Sequence, residues 1–185
     1  MFEHVSTLAR RWPGLLVLLT AVGLEGCGGV RVEDYADTTP AFDPRRFFDG
    51  KVRAWGIVQD WRGRVVRRFE VDISGHRDGE AIVLDEAFRY ADGERDTRTW
   101  RIVPDGSGSF SGRAGDIVGT ARGNASGNAM QWRYTMDLAV DGRTWRVNFD
   151  DWMWQLDERV LVNRSRIRKF GLTVAEVTLF MRRED

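Results

Sequence analysis

The stretch Met130–Val140 reads M-Q-W-R-Y-T-M-D-L-A-V and runs directly into Asp141-Gly142. Met130, Trp132, Tyr134, Met136, Leu138 and Val140 share one phase, while Gln131, Arg133, Thr135 and Asp137 take the other. Period two marks a strand with one face in a core, because successive side chains point to opposite sides of a sheet. Asp-Gly after such a run is a two-residue hairpin signal, since that turn needs positive φ at both central residues. Folding the chain there predicts Leu138 opposite Trp145, Met136 opposite Val147 and Tyr134 opposite Phe149. The same register sets Asp137 against Arg146 and Arg133 against Asp150 on the outer face, where opposite charges are mildly stabilising.

The pattern extends in both directions. A three-residue turn at Ala91-Asp92-Gly93 predicts Ile82 opposite Ile102, Leu84 opposite Trp100 and Glu86 opposite Arg98. The last two share the apolar phase, and a buried charge is tolerable only when paired, so an inward Glu86–Arg98 ion pair is expected. A turn at Trp61-Arg62-Gly63 predicts Trp55 opposite Phe69 and Ile57 opposite Arg67, which turns Arg53 inward as well. Further strands are expected near Phe110–Ala114, Asp116–Arg122, Val160–Arg166 and Thr173–Arg182, with loops at Pro104–Gly108 and Gly123–Gly127. Asp43-Pro44 is an N-cap followed by proline at the first helical position, which predicts one helical turn through Phe48. Eight to ten short antiparallel strands in sequence make the chain all-β. They point to an antiparallel up-and-down β-barrel over residues 43–185 with a short N-terminal helical turn, two packed sheets being the alternative.

The 28 basic and 28 acidic residues balance, and no basic tail or face is present, which argues against a nucleic-acid partner. Nearly all the cations are arginine. Guanidinium forks suit anion binding, although GC-rich codon usage yields the same bias. At the N-terminus, Arg10 and Arg11 precede an apolar run from Leu15 to Leu24, then E-G-C-G-G at Glu25–Gly29. This is the layout of a secretory signal over residues 1–26, and the run is too short to span a bilayer. Cys27 is the only cysteine, so no internal disulfide exists. L-E-G-C resembles a bacterial lipobox with Cys27 as the lipidated residue, although Glu25 stands where a small residue is usual. Plain cleavage after Gly23 is the alternative. Residues 27–42 then form a lipidated tether, the membrane is a partner through the acyl anchor, and Gly28 rather than aspartate favours the outer membrane, facing the periplasm.

The chemistry open to such a chain is narrow. His76 is the one histidine of the mature chain, so neither a Cys/His zinc site nor a His-based nucleophilic triad is expected, and no metal or cofactor is implied. In N-F-D-D-W-M-W-Q-L, Asn148–Leu156, the apolar phase runs through Trp145, Val147 and Phe149, then through Trp152, Trp154 and Leu156. A bulge at a barrel corner produces such a change, with Asp150 pairing outward to Arg133 and Asp151 turning inward near Trp132. The inward phase offers a candidate ligand site of Arg53, Trp55, Arg67, Phe69, Glu86, Arg98, Trp100, Trp132, Tyr134 and Asp151. Leu84, Phe88, Met136, Trp145 and Phe149 add apolar wall. An inward arginine suits a fatty-acid carboxylate or phosphate, but the same aromatics also fill a closed core.

F-F-D-G at Phe47–Gly50, L-D-E-A-F-R-Y at Leu84–Tyr90 and G-R-A-G-D-I-V-G-T-A-R-G at Gly112–Gly123 join D-D-W-M at Asp150–Met153 and K-F-G at Lys169–Gly171. Together they resemble an uncharacterised proteobacterial lipoprotein family without assigned activity, over about residues 45–183. The resemblance implies a lipocalin-like envelope protein, supplies no catalytic residues, and points to Asn163 and Lys169 as partners for Asp151. The expectation is an envelope lipoprotein that binds or shuttles a lipid-like, fatty-acyl or phospholipid ligand. A filled structural or interaction barrel and a carboxylate-dependent lipid enzyme are the alternatives.

Overall fold

A computed structural model of the chain describes residues 29–140 and 142–184. The signal segment, Cys27, Gly28 and Asp141 lie outside the described residues. Ten antiparallel strands follow one another around a closed barrel: β1 (Gly50–Asp60), β2 (Val65–Asp78), β3 (Ala81–Tyr90), β4 (Arg95–Pro104), β5 (Ser109–Ala114), β6 (Ile117–Ser126), β7 (Ala129–Val140), β8 (Arg143–Gln155), β9 (Val160–Lys169) and β10 (Leu172–Arg183). Each strand pairs with its neighbours in sequence, and β10 closes on β1. Closure leaves no open sheet edge. The fold is a lipocalin-like barrel.

The β7–β8 hairpin has the predicted register, with Leu138 opposite Trp145, Tyr134 opposite Phe149 and Arg133 opposite Asp150. The β3–β4 register also agrees, from Ile82 opposite Ile102 to Glu86 opposite Arg98. Tyr134 stacks on Phe149 at 4.7 Å between ring centroids, and Trp100 meets Tyr134 edge-on at 5.3 Å. Aromatic pairs of this kind contribute about 1 kcal/mol each beyond their burial. Gly112 and Gly123 make room for the indole of Trp132, since a Cβ there would come within 2.7 and 2.5 Å of its ring. Gly123 therefore belongs inside β6, not to the loop expected at Gly123–Gly127. His76 lies exposed on β2 rather than in a loop.

One end of the barrel is sealed. Asp43 caps α1 (Pro44–Phe47), its carboxylate accepting the Arg45 N–H at 2.8 Å. The helix seats Phe47 and Phe48 beside Phe42 as a buried aromatic plug. Arg183 fastens the plug through the carbonyls of Arg46, Phe47 and Asp49. Residues from Val32 to Phe42, expected to be free tether, are instead laid on the outer wall near this end. Val32 and Tyr35, in a 3-10 turn (Val32–Tyr35), cover Trp152. Thr38 bonds Asn128, and the Phe42 N–H donates to the Gly127 carbonyl.

That cover explains the apparent phase change in β8. Pairing with β7 and β9 runs past Asp150 and Asp151 without a shift, so there is no bulge. Asp151, Met153 and Gln155 continue inward, while Trp152 and Trp154 stack on each other outside. The outer face is apolar here because a second layer covers it.

The β1–β2 register is also corrected. Trp55 lies opposite Glu70 and Val58 opposite Arg67, with a bulge at Val58/Gln59. The inward phase of β1 is Val52, Ala54, Gly56 and Val58. Arg53 and Trp55 consequently face outward, where Arg53 binds Glu70 at 2.8 Å and Trp55 packs near Phe180. The arginine bias has a structural use on this wall. Arg146–Asp137, Arg133–Asp150 and Arg89 with Glu70 and Asp72 are cross-strand ion pairs. Each exposed pair contributes no more than about 1 kcal/mol.

Candidate ligand cavity

The plug seals one end and leaves the other open. Between them lies a cavity of about 650 Å³ with Phe48 at its floor. Phe69, Phe88, Trp100, Trp132, Tyr134 and Phe149 form much of its wall. Of the ten residues expected to bind ligand, eight line it: Arg67, Phe69, Glu86, Arg98, Trp100, Trp132, Tyr134 and Asp151. Arg53 and Trp55 do not, for the phase reason given above.

The mouth is framed by side chains from the turns and strand ends. Arg67 lies over the Tyr90 ring at 3.5 Å and pairs with Asp92 and Glu94. Lys169 sits 3.9 Å from the Trp145 ring centre, at the rim, rather than beside Asp151. Trp61 is 69% exposed, Phe170 92% and Leu172 72%, all at this end.

Midway down the barrel the apolar wall is interrupted by Glu86, Arg98, Tyr134, Asp151, Asn163 and Ser165. Period two delivers them: Glu86 lies between the inward Leu84 and Phe88 of β3, and Asp151 follows Val147 and Phe149 on β8. The expected Glu86–Arg98 ion pair is not formed. Arg98 reaches toward the β5–β6 turn and donates its Nε–H to Asp116 at 2.8 Å, because that turn offers a carboxylate nearer solvent. Arg98 acts on Glu86 only through its field.

Asp151 is 8% exposed, opposite Trp132 on one side and Ser165 on the other. Its Oδ1 has no hydrogen-bond partner among the described residues. Burial pushes its pKa up to about 7, against the Ser165 and Tyr134 hydroxyls and the Arg98 charge. Burial likewise pushes Glu86 up to about 7, opposed by Arg98 and reinforced by Asp116 and Asp151. Tyr134 is raised well above its ordinary value, by burial and then by the Asp151 charge, so its hydroxyl keeps its proton. Asn163 donates to the Trp152 carbonyl at 3.2 Å and accepts from Ser165 at 3.2 Å. Ser165 was missed in the sequence. The signal for it was present, since Arg164, Arg166 and Arg168 mark the outer phase of β9 and leave Leu161, Asn163, Ser165 and Ile167 inside.

Among solved structures, an S-type phycobiliprotein lyase, CPES from Guillardia theta, is similar to this barrel with a TM-score of 0.54. The match covers 76% of this chain and 90% of that one at 9% identity, and so speaks for the fold alone. No curated protein matches. The profile of one family, described as a protein of unknown function (DUF3833), matches residues 21–183. With nearly the whole barrel inside that match, the chain belongs to the DUF3833 family.

Proposed function

We propose that the barrel binds a small hydrophobic molecule of lipid-like or fatty-acyl size, and holds or shuttles it at the cell envelope. One observation carries this: a cavity of about 650 Å³, walled by aromatics, closed below and open above. Cavities of several hundred cubic ångströms with few polar groups are the usual form of small-molecule sites. A structural barrel of this width has no need to leave its interior vacant, because close packing of the same side chains would be more stable. Apolar ligand atoms entering such a space gain roughly 25 cal/mol for each Å² removed from water.

The envelope location is part of the proposal. It rests on the basic and apolar N-terminal segment and on Cys27 as an acylation site. One lipid chain gives only marginal attachment and several give a durable one. Native mass spectrometry of protein purified without detergent, followed by organic extraction, tests the binding. A co-purifying acyl or other apolar species is expected. A barrel that carries none, and whose tryptophan emission ignores added apolar probes, refutes it. Mass analysis of the N-terminal peptide for acylated Cys27 tests the anchor separately.

A further inference from the structure

The polar groups inside the cavity discriminate among apolar ligands. Glu86 and Asp151 both face the lumen, and among the described residues neither has a cation within ion-pair distance. The arginines that line the cavity are already engaged, Arg98 by Asp116 and Arg67 by Asp92 and Glu94. A ligand carboxylate brought to mid-barrel would meet two acidic groups and no unengaged arginine. An alkyl tail inserted first would lay methylenes against the lumen-facing parts of the Glu86 and Asp151 carboxyls, and taking a polar group out of water without a partner costs on the order of 1–3 kcal/mol. What Asp151 Oδ1 lacks is a donor. The neighbouring Tyr134 hydroxyl, which faces the same carboxyl, shows that the site accommodates an O–H donor.

We infer that the inner end of the cavity is a hydrogen-bond acceptor site, built by Asp151 and Glu86, for an apolar ligand whose leading group is a hydroxyl or an amine. An alcohol donates one O–H to the lumen-facing side of the Asp151 or Glu86 carboxyl. An ammonium donates to both carboxylates and is held by charge as well, and charge-assisted bonds are roughly twice as strong as neutral ones. The aromatic wall from Phe69 to Phe149 receives the hydrocarbon body, and the chain leaves past Trp145 at the mouth.

This rests on the reading of the cavity as a ligand site, and one experiment separates the two. The full chain is titrated at pH 8 with dodecylamine, dodecan-1-ol and dodecanoate below their micelle concentrations, following emission of the wall tryptophans. The amine and the alcohol are expected to bind at least tenfold more tightly than dodecanoate. Asp151→Asn and, independently, Glu86→Gln should each reduce the preference for amine over dodecanoate by about tenfold, with circular dichroism unchanged. Dodecanoate binding as tightly as the amine overturns the inference and leaves the cavity as a ligand site. A ranking that neither variant moves does the same. Failure of all three probes to bind overturns both.

Discussion

Replacing Asp151 by asparagine tests the interior electrostatics through stability alone. The native carboxyl titrates near 7 against an ordinary value of 3.8, because burial disfavours its charged form. The unfolded chain therefore releases this proton near pH 4, whereas the native chain holds it until about pH 7. Between those values the native state binds more protons than the unfolded state, so stability falls as pH rises. The contribution is fully present below pH 4 and is lost by the time pH passes 7. A difference of roughly three pKa units at 1.36 kcal/mol each gives about 4 kcal/mol. An asparagine of the same shape has no proton to lose. Urea unfolding of both proteins at half-unit steps from pH 4 to 9 gives the difference curve directly. Asp151→Asn is expected to match the parent near pH 4 and to exceed it increasingly up to pH 7, reaching an advantage of about 2–4 kcal/mol at pH 8. A difference that stays constant across this range would refute the assignment of Asp151 as a buried carboxyl without a cation beside it.

Other expectations follow from particular contacts. Phe170 has φ of 51° at the β9–β10 turn and is almost wholly exposed, so Phe170→Gly should relieve left-handed strain and raise stability by about 1 kcal/mol, read as a higher Tm. At Gly127, with φ of 52°, a Cβ would lie 1.7 Å from the Tyr35 carbonyl oxygen. Gly127→Ala should thus lift the N-terminal segment off the wall, seen as faster amide exchange at Ala36 and Thr38 and red-shifted emission from Trp152. Trp132→Ala removes an indole packed against Trp100 and two glycines. It should cost about 3–5 kcal/mol in urea unfolding, with ligand uptake lost or broadened in the remaining folded protein.

The strands that could be placed from the sequence are those whose two faces differ in chemistry. In β7, arginine, threonine and aspartate alternate with large apolar residues, and the hairpin turn is explicit, so pairing and facing followed together. In β1 the contrast fails: Gly56 has no side chain to mark the lumen, while Trp55 and Ile57 mark the outside as apolar. Read from the sequence, the larger side chains mark the inside, and Arg53 and Trp55 turn inward with them. In β8, Trp152 and Trp154 imitate an inward face because a segment more than a hundred residues earlier covers them, and local periodicity carries no record of such cover. Glu86, Arg98 and Asp151 were legible as inward because each breaks an apolar phase. Their partners were not, since the choice of Arg98 between Glu86 and Asp116 depends on where a separate turn lies in space. Whether the lumen is vacant or filled depends on barrel width and strand tilt, which ten short strands do not spell out.

The plug and the N-terminal segment share one end of the barrel, and the opening lies at the other. Force applied through residues upstream of Gly29 is thus delivered to the sealed base, by way of Val32, Thr38 and Phe42, along a body on the order of 30 Å tall. A molecule fastened by that route stands like a cup on its foot. Its lip, with Trp61, Phe170 and Leu172, lies at the end opposite Phe42 and Phe47, so an attachment made through the base would leave the opening clear.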